Sequence, residues 1–348
     1  MIEKPLSIVV LTYKRSAALR RCLESLKRCR AEQYAEVWVG CNGLDHGQDR
    51  LIDEIGQAFP WAKMVKFKRM QPGSARNQMV LRASGSVIYF LDDDAVVPEG
   101  FISRVLAKFI EHPRAPAIGG PNLAPPDSSA FQRAVDWLFR SPLGAGPVRI
   151  RYQRRAGDRV LPGWSFTLSN LGVRREVFSV YSIHFPDYCV TAEENLFLYN
   201  VERKLGPAVY SPDLYVYHER RGTLKTFCRQ LFGYGKGRMQ ITKSTPASLQ
   251  FAVLVPLVFA FYLFSLPFLP WPLGTLPLGL YGAACVLEAA RLAVLERDFR
   301  AAGRAVALFP LFHLSYAAGL LWELAAPRRR LTLPAPAREA AEMAAEKA

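Results

Sequence analysis

Three consecutive carboxylates, Asp92, Asp93 and Asp94, follow an apolar run at residues 87–91. Placed side by side, they repel one another unless positive charge neutralises them. Oxygen ligands select a hard divalent ion, Mg2+ or Mn2+, which keeps some waters and completes its shell with substrate phosphates. A solvated acidic turn is the competing reading, disfavoured by the position directly after a core strand. Two other groups stand at comparable places: Thr12-Tyr13-Lys14-Arg15 after an apolar run at 6–11, and Cys41-Asn42-Gly43 after 36–39. A second acidic pair, Glu193-Glu194, sits in TAEENLF. A carboxylate there suits proton transfer, although TAEE also reads as a helix capping box with Thr191 as N-cap, and both readings can hold together.

The elements that must position these groups alternate along the chain. Strands are expected at 6–11, 36–39, 64–67 and 86–91. Between them Leu19, Leu23 and Leu26, then Ile52, Ile55 and Phe59, recur at helical spacing, and a further helix is expected at 75–82. Alternating strands and helices imply right-handed crossovers and a mainly parallel sheet with helices on both faces. Ligands of such sheets bind beyond the carboxyl ends of the strands, where all three residue groups fall.

SIVVLTYKR, PGSARN, FLDDDAVVPEGF and TAEENLF, in this order and spacing, resemble the inverting family-2 glycosyltransferases of GT-A fold over residues 5–238. The resemblance implies a nucleotide-diphosphate sugar as donor, contacted by Thr12, Tyr13, Arg15 and Asn42, with Arg76 and Asn77 closing the site. Asp92 and Asp94 match the outer members of the family's DxD motif, with Asp92 and Asp93 toward the donor. Asp94, Asp92 and His218 are the candidate metal ligands. Of the pair Glu193-Glu194, the second carboxylate, Glu194, matches the catalytic base. His218 and FGYGKGR at 232–238 resemble downstream elements that hold the diphosphate or close over the acceptor. The resemblance implies a hexosyltransferase-type enzyme, with three departures: Cys41 replaces an acidic residue that contacts the nucleotide base, with Asp45 as a neighbouring substitute; Ala192 replaces a glycine; and the QxxRW of processive members is absent, which implies addition of a single sugar over polymerisation.

The chain has 348 residues, 50% of them hydrophobic, and a formal charge of +15. It is too long for a disulfide mini-protein and too apolar for disorder. Six scattered cysteines with no CxxC pair read as free thiols. From Ser244 to Leu287 there are 44 residues without a charge. This is enough for a two-span hairpin at about 249–269 and 276–295, with LPWPLGTLP as its turn. A third apolar run, 305–322, reads equally as a span, an interfacial helix or a buried helix. The domains expected are therefore 1–243 catalytic, 244–326 membrane-associated and 327–348 a polar tail. Arg291, Arg297, Arg300 and Arg304 follow the hairpin while its turn is uncharged. The positive-inside rule then places the catalytic part on the cytoplasmic side of the cell (inner) membrane.

The first 249 residues hold 36 basic and 23 acidic residues, so the positive charge belongs to the catalytic part. Its densest cluster, Arg149, Arg151, Arg154, Arg155 and Arg159, reads either as a solvated face or as a seat for anionic headgroups or a lipid-linked phosphate. The partners expected are a nucleotide-sugar donor, a lipid-linked or membrane-proximal acceptor of cell-envelope polysaccharide or glycolipid synthesis, and membrane lipids. No nucleic acid is expected, because the basic charge comes without zinc-ligand spacing or an RNA-binding aromatic signature. A catalytically silent membrane scaffold of the same fold is the main alternative.

Overall fold

A computed structural model of the chain describes residues 4–43, 46–187, 191–272 and 274–327. The first half runs β1 (Leu6–Thr12), α1 (Ser16–Arg28), α2 (Ala31–Tyr34), β2 (Ala35–Asn42), α3 (His46–Ala58), β3 (Ala62–Phe67), α4 (Pro72–Val80) and β4 (Val87–Asp92). The four expected strands are all present, each a little longer than its apolar run, and pair in parallel in the order β3-β2-β1-β4. α4 begins three residues earlier than expected, at Pro72, because a proline at the first helical position loses no hydrogen bond. In the register, Thr12 lies opposite Cys41 and Leu11 opposite Asp92. The carboxyl ends of β1, β2 and β4 are therefore level, and the residues that follow them emerge at one edge.

The second half runs β5 (Ala95–Val96), α5 (Phe101–Glu111), β6 (Ala117–Gly119), β7 (Asn122–Leu123), α6 (Ala130–Arg140), β8 (Arg159–Leu161), β9 (Asn170–Arg174), α7 (Glu176–Ser179), α8 (Glu193–Leu205), β10 (Ala208–Tyr210), β11 (Val216–His218) and α9 (Leu224–Ser244). The sheet continues past β4 as β9-β6-β10-β8, with β9 antiparallel to both β4 and β6. The fold is thus mixed α/β, with a GT-A-like sheet that is parallel on its first side and carries two reversed strands, β9 and the edge strand β8, on the other. Leu19, Leu23 and Leu26 of α1 pack one face among aliphatic neighbours. Phe178, Phe185 and Phe197 cover the other face, with centroids 4.3–6.0 Å apart, and Phe90 of β4 meets Phe185 edge-on at 5.2 Å. A small sheet, β5-β11-β7, sits beside the main one and pairs His218 with Ala95, three residues after Asp92.

The C-terminal part consists of α10 (Val255–Ser265), with short 3-10 turns at both ends, α11 (Leu276–Glu296) and α12 (Phe299–Ala325). Three segments, Phe251–Phe268, Leu276–Glu296 and Phe299–Ala325, are long and apolar enough to cross a membrane. Large side chains such as Phe251, Phe264, Phe268, Leu280 and Leu287 are exposed on the first two, an apolar surface that water does not favour. The third helix is different: 44% of its apolar window is buried inside the protein, against 6% for the first. α12 packs along α9 and α6. A Cβ on Gly235 of α9 would stand 2.1 Å from the Tyr316 carbonyl, and one on Gly319 of α12 2.1 Å from the Phe232 carbonyl. The two backbones cross at a distance that only glycine permits. The five described cysteines, 22, 29, 41, 228 and 285, are free thiols; Cys189, Asp45 and the tail from 328 lie outside the described residues.

Candidate active site

The turn after β4 brings the acidic triad against cations from three other elements. Asp93 is 3% exposed; it accepts from the Thr12 hydroxyl at 2.7 Å and from Arg15 Nη1 at 3.0 Å. The same Arg15 nitrogen reaches Asp94 Oδ2 at 2.7 Å. His218 Nε2 lies 3.1 Å from Asp94 Oδ1 and 3.7 Å from Asp92 Oδ2. Burial and the neighbouring Asp94 charge raise the Asp93 carboxyl to about 6, with Arg15 opposing. At Asp94 burial also works upward, but His218 and Arg15 outweigh it and hold that carboxyl below its ordinary range. Burial disfavours the charged imidazole of His218, yet Asp94 and Asp92 overcome it and push the ring up to about 9. Mutual repulsion among the carboxylates is therefore answered in part by the chain's own side chains.

This cluster also fits a divalent ion. Asp92, Asp94 and His218 can each offer one ligand atom within 4.8 Å of the others. Asp94 Oδ1 is buried and makes no well-aligned hydrogen bond, a lone pair already stripped of water. Two carboxylates strong enough to draw a proton onto His218 present the demand for positive charge that a cation meets, and carboxylate oxygens with one imidazole suit Mn2+ as well as Mg2+.

The second acidic pair enters from α8. Arg76 of α4 pairs with Glu193 through Nη1 and approaches Asp92 Oδ1 at 3.6 Å through Nη2, so one buried guanidinium joins the triad to α8. Glu193 is held by that contact. Glu194 lines a cavity of about 350 Å3 together with Arg76, Asp92 and His218, and its hydrogen-bonding partner is Asn195 Nδ2 at 3.3 Å. Burial raises the Glu194 carboxyl, with Arg151 opposing. The capping-box reading of TAEE is corrected. α8 starts at Glu193, its N-cap is Ala192 in the left-handed region at φ 67°, and no side chain caps it. The Thr191 hydroxyl instead donates to the Gly233 carbonyl of α9 at 2.9 Å. Tertiary contact has displaced the local cap, and the strained position is the one that resembles a family glycine.

Other expected site residues are placed differently. Asn42 donates to the Met70 carbonyl at 2.9 Å and accepts from the Met70 amide at 3.0 Å. Asn77 does the same with Phe185, at 2.9 and 3.0 Å. Both amides thus tie loops at the sheet edge. Tyr13 stacks against Arg69, whose guanidinium carbon is 3.6 Å from the ring centroid. Cys41 is fully buried in the aliphatic core, and burial lifts its thiol to about 12, so it presents no polar group at the edge. Of the arginine cluster, Arg154, Arg155 and Arg159 are exposed, while Arg151 turns inward to the Trp164 carbonyl and to Asn195 Oδ1 at 3.0 Å.

The cavity wall includes Tyr234 and Arg238 from the 232–238 segment, and residues that sequence reasoning did not assign: Tyr152 and Gln230 and, from the apolar helices, Val253, Pro256, Phe312 and Tyr316. Only the spacing of Gln230, Tyr234 and Arg238 at intervals of four on one helix offered a signal. The rest come together through long-range packing. The cavity is continuous from Asp92 at the sheet edge to the helices that carry the apolar surface.

The sequence profile described as glycosyl transferase family 2 matches residues 7–180, half of the chain. No curated protein matches the sequence. Among solved structures, the chain is similar to a mannosyltransferase from Pyrobaculum calidifontis, PcManGT, in complex with GDP-Man and Mn2+. The TM-score is 0.58 at 15% identity, over 93% of this chain and 88% of that one. It also aligns with residues 1–349 of S. aureus TarS in complex with UDP-GlcNAc, at TM-score 0.48 and 16% identity, over 91% of this chain and 89% of the other. At such identities the likeness to PcManGT is one of fold.

Proposed function

The chain belongs to glycosyl transferase family 2, and from that premise we propose that it is a membrane-anchored enzyme that moves one hexosyl-type sugar from a nucleotide-diphosphate donor to a lipid-linked or membrane-proximal acceptor, inverting the anomeric centre. The observation that carries this reading is a cavity lined both by Asp92, Arg76 and Glu194 and by Val253, Pro256 and Phe312 of the apolar helices.

Asp92, Asp94 and His218 would hold Mg2+ or Mn2+, whose charge stabilises the leaving diphosphate when bound. Arg15 fixes Asp93 and Asp94, and Thr12 fixes Asp93, so the carboxylates do not reorganise as charge develops. Arg76 holds Glu193 and leaves Glu194 to face the acceptor. An acceptor hydroxyl attacks the anomeric carbon as its proton passes to Glu194. The bond from that carbon to the diphosphate oxygen breaks, and the electron pair departs with the nucleotide diphosphate. Positive charge at Arg291, Arg297, Arg300 and Arg304 beside an uncharged hairpin turn supports a catalytic domain facing the cytoplasm of the cell (inner) membrane.

Full-length protein with Mn2+ and a panel of UDP-, GDP- and dTDP-sugars tests the reading. One donor should yield nucleotide diphosphate, and Asp94→Ala and Glu194→Gln should abolish its release. Full activity in both variants would sink the assignment.

A further inference from the structure

Arg238 of α9 is 8% exposed and lines the cavity. Among the described residues no hydrogen bond or ion pair engages its guanidinium. A guanidinium keeps its charge when buried, and a buried charge without a partner is costly unless something binds there. The backbone around it is built for this placement. A Cβ on Gly237, its neighbour, would stand 2.2 Å from Thr191 Oγ1, and one on Gly235 2.1 Å from the Tyr316 carbonyl. α9 is thus wedged between Thr191, just before α8, and the apolar helix α12, and it carries Arg238 into the cavity wall.

A second cation approaches the same region. Arg151 spends Nε and Nη2 on Trp164 and Asn195; burial disfavours the charged form of Arg238, Tyr316 and Glu194 favour it, and Arg151 opposes it. The donor-side cations Arg15 and Arg76 are each paired to carboxylates, whereas Arg238 is not. The wall contributed by the apolar helices includes Val253, Pro256 and Phe312. A ligand that satisfies both features is amphiphilic: a hydrocarbon tail beside α10 and α12, and an anionic group against Arg238.

Building on the proposed glycosyltransferase, we infer that its acceptor is a lipid bearing a phosphate, which docks on Arg238 beside Arg151 and so sets the acceptor hydroxyl before Glu194. Arg238 is a positioning residue in this account. It makes no contact with the breaking bond, and its charge selects which lipid is brought to Glu194.

The test is calorimetric binding to full-length protein in neutral detergent, with decyl phosphate as probe and decanol and inorganic phosphate as matched arms. Decyl phosphate should bind at least about tenfold more tightly than either, as charge-assisted hydrogen bonds imply. Arg238→Gln should erase that preference and Arg238→Lys should retain most of it, while binding of GDP or UDP with Mn2+ stays within about twofold of wild type. Equal binding of decyl phosphate and decanol, equal binding of inorganic phosphate, or full preference in Arg238→Gln would overturn the inference. So would a parallel loss of nucleotide binding in both Arg238 variants, which would place Arg238 in the donor site. Displacement of decyl phosphate by an equal concentration of phosphatidylglycerol would mark a bulk-lipid contact and overturn it too. The nucleotide arm reads the enzyme assignment and the alkyl arms read the acceptor, so each can fail alone.

Discussion

Replacing Glu194 by Gln removes a proton acceptor at nearly constant volume. The loss of turnover should be about 10^2 to 10^4-fold, while calorimetry should show nucleotide diphosphate and Mn2+ binding unchanged. Glu193→Gln should behave differently, because Glu193 is paired with Arg76, which also reaches Asp92; that variant should weaken donor binding as well as turnover. The raised Glu194 carboxyl sets the sign of the pH dependence. The base must be ionised, so activity falls as pH drops through its raised pKa, and the acid limb of kcat/KM should lie above the ordinary Glu value of about 4.3. A limb at or below that value would contradict burial as the controlling effect. Ala192 holds a left-handed backbone, at φ 67°, that costs an alanine roughly 1 kcal/mol or more. Ala192→Gly should therefore raise the unfolding midpoint in detergent, and a lower midpoint would mean that the methyl group packs usefully. At this scale the acidic triad was legible because three carboxylates after a core strand have few structural uses. The cap of α8 was misread because TAEE satisfies the local rule, whereas Thr191 in the folded chain bonds α9 instead.

The crossing of α9 and α12 rests on two glycines whose added Cβ atoms would meet backbone carbonyls at 2.1 Å. Carbonyls of two long helices cannot step aside cheaply. Gly319→Val and Gly235→Val should each destabilise the docked arrangement by about 2 kcal/mol or more, read as a lower midpoint and easier proteolysis of the loop between β11 and α9. Gly303 in α12 meets nothing within 4 Å, so Gly303→Ala should be neutral or gain up to about 1 kcal/mol from helix propensity. Equal effects at Gly303 and Gly319 would refute the close crossing. The first four strands and their helices could be read from period alone, as could the uncharged hairpin. The reversal at β9 and the small sheet that delivers His218 to Asp94 could not, because both depend on pairing between segments far apart in sequence. Asn42 and Asn77 stand in plausible donor-contact positions by motif, yet the loops that their amides tie are visible only in three dimensions.

Taken as a whole, the molecule joins a basic α/β glycosyl transferase family 2 domain to C-terminal apolar helices through a cavity that both of them line. The excess of positive charge and the excess of apolar residues belong to different parts of the chain and meet at Glu194, Arg238, the start of α10 and the middle of α12. The proposed orientation rests on the arginines after the hairpin. A cysteine introduced at Thr275, on the turn, should react with a membrane-impermeant maleimide added outside intact cells, and labelling only after lysis would reverse the topology. The most direct measurement follows the sugar itself. Membranes holding the full-length protein, given its preferred nucleotide sugar labelled in the sugar together with Mn2+, should pass label into the organic-extractable fraction, one sugar for each nucleotide diphosphate released, and the Glu194→Gln membranes should pass none. Label that stays in the aqueous phase, or equal lipid labelling by the variant, would contradict the account.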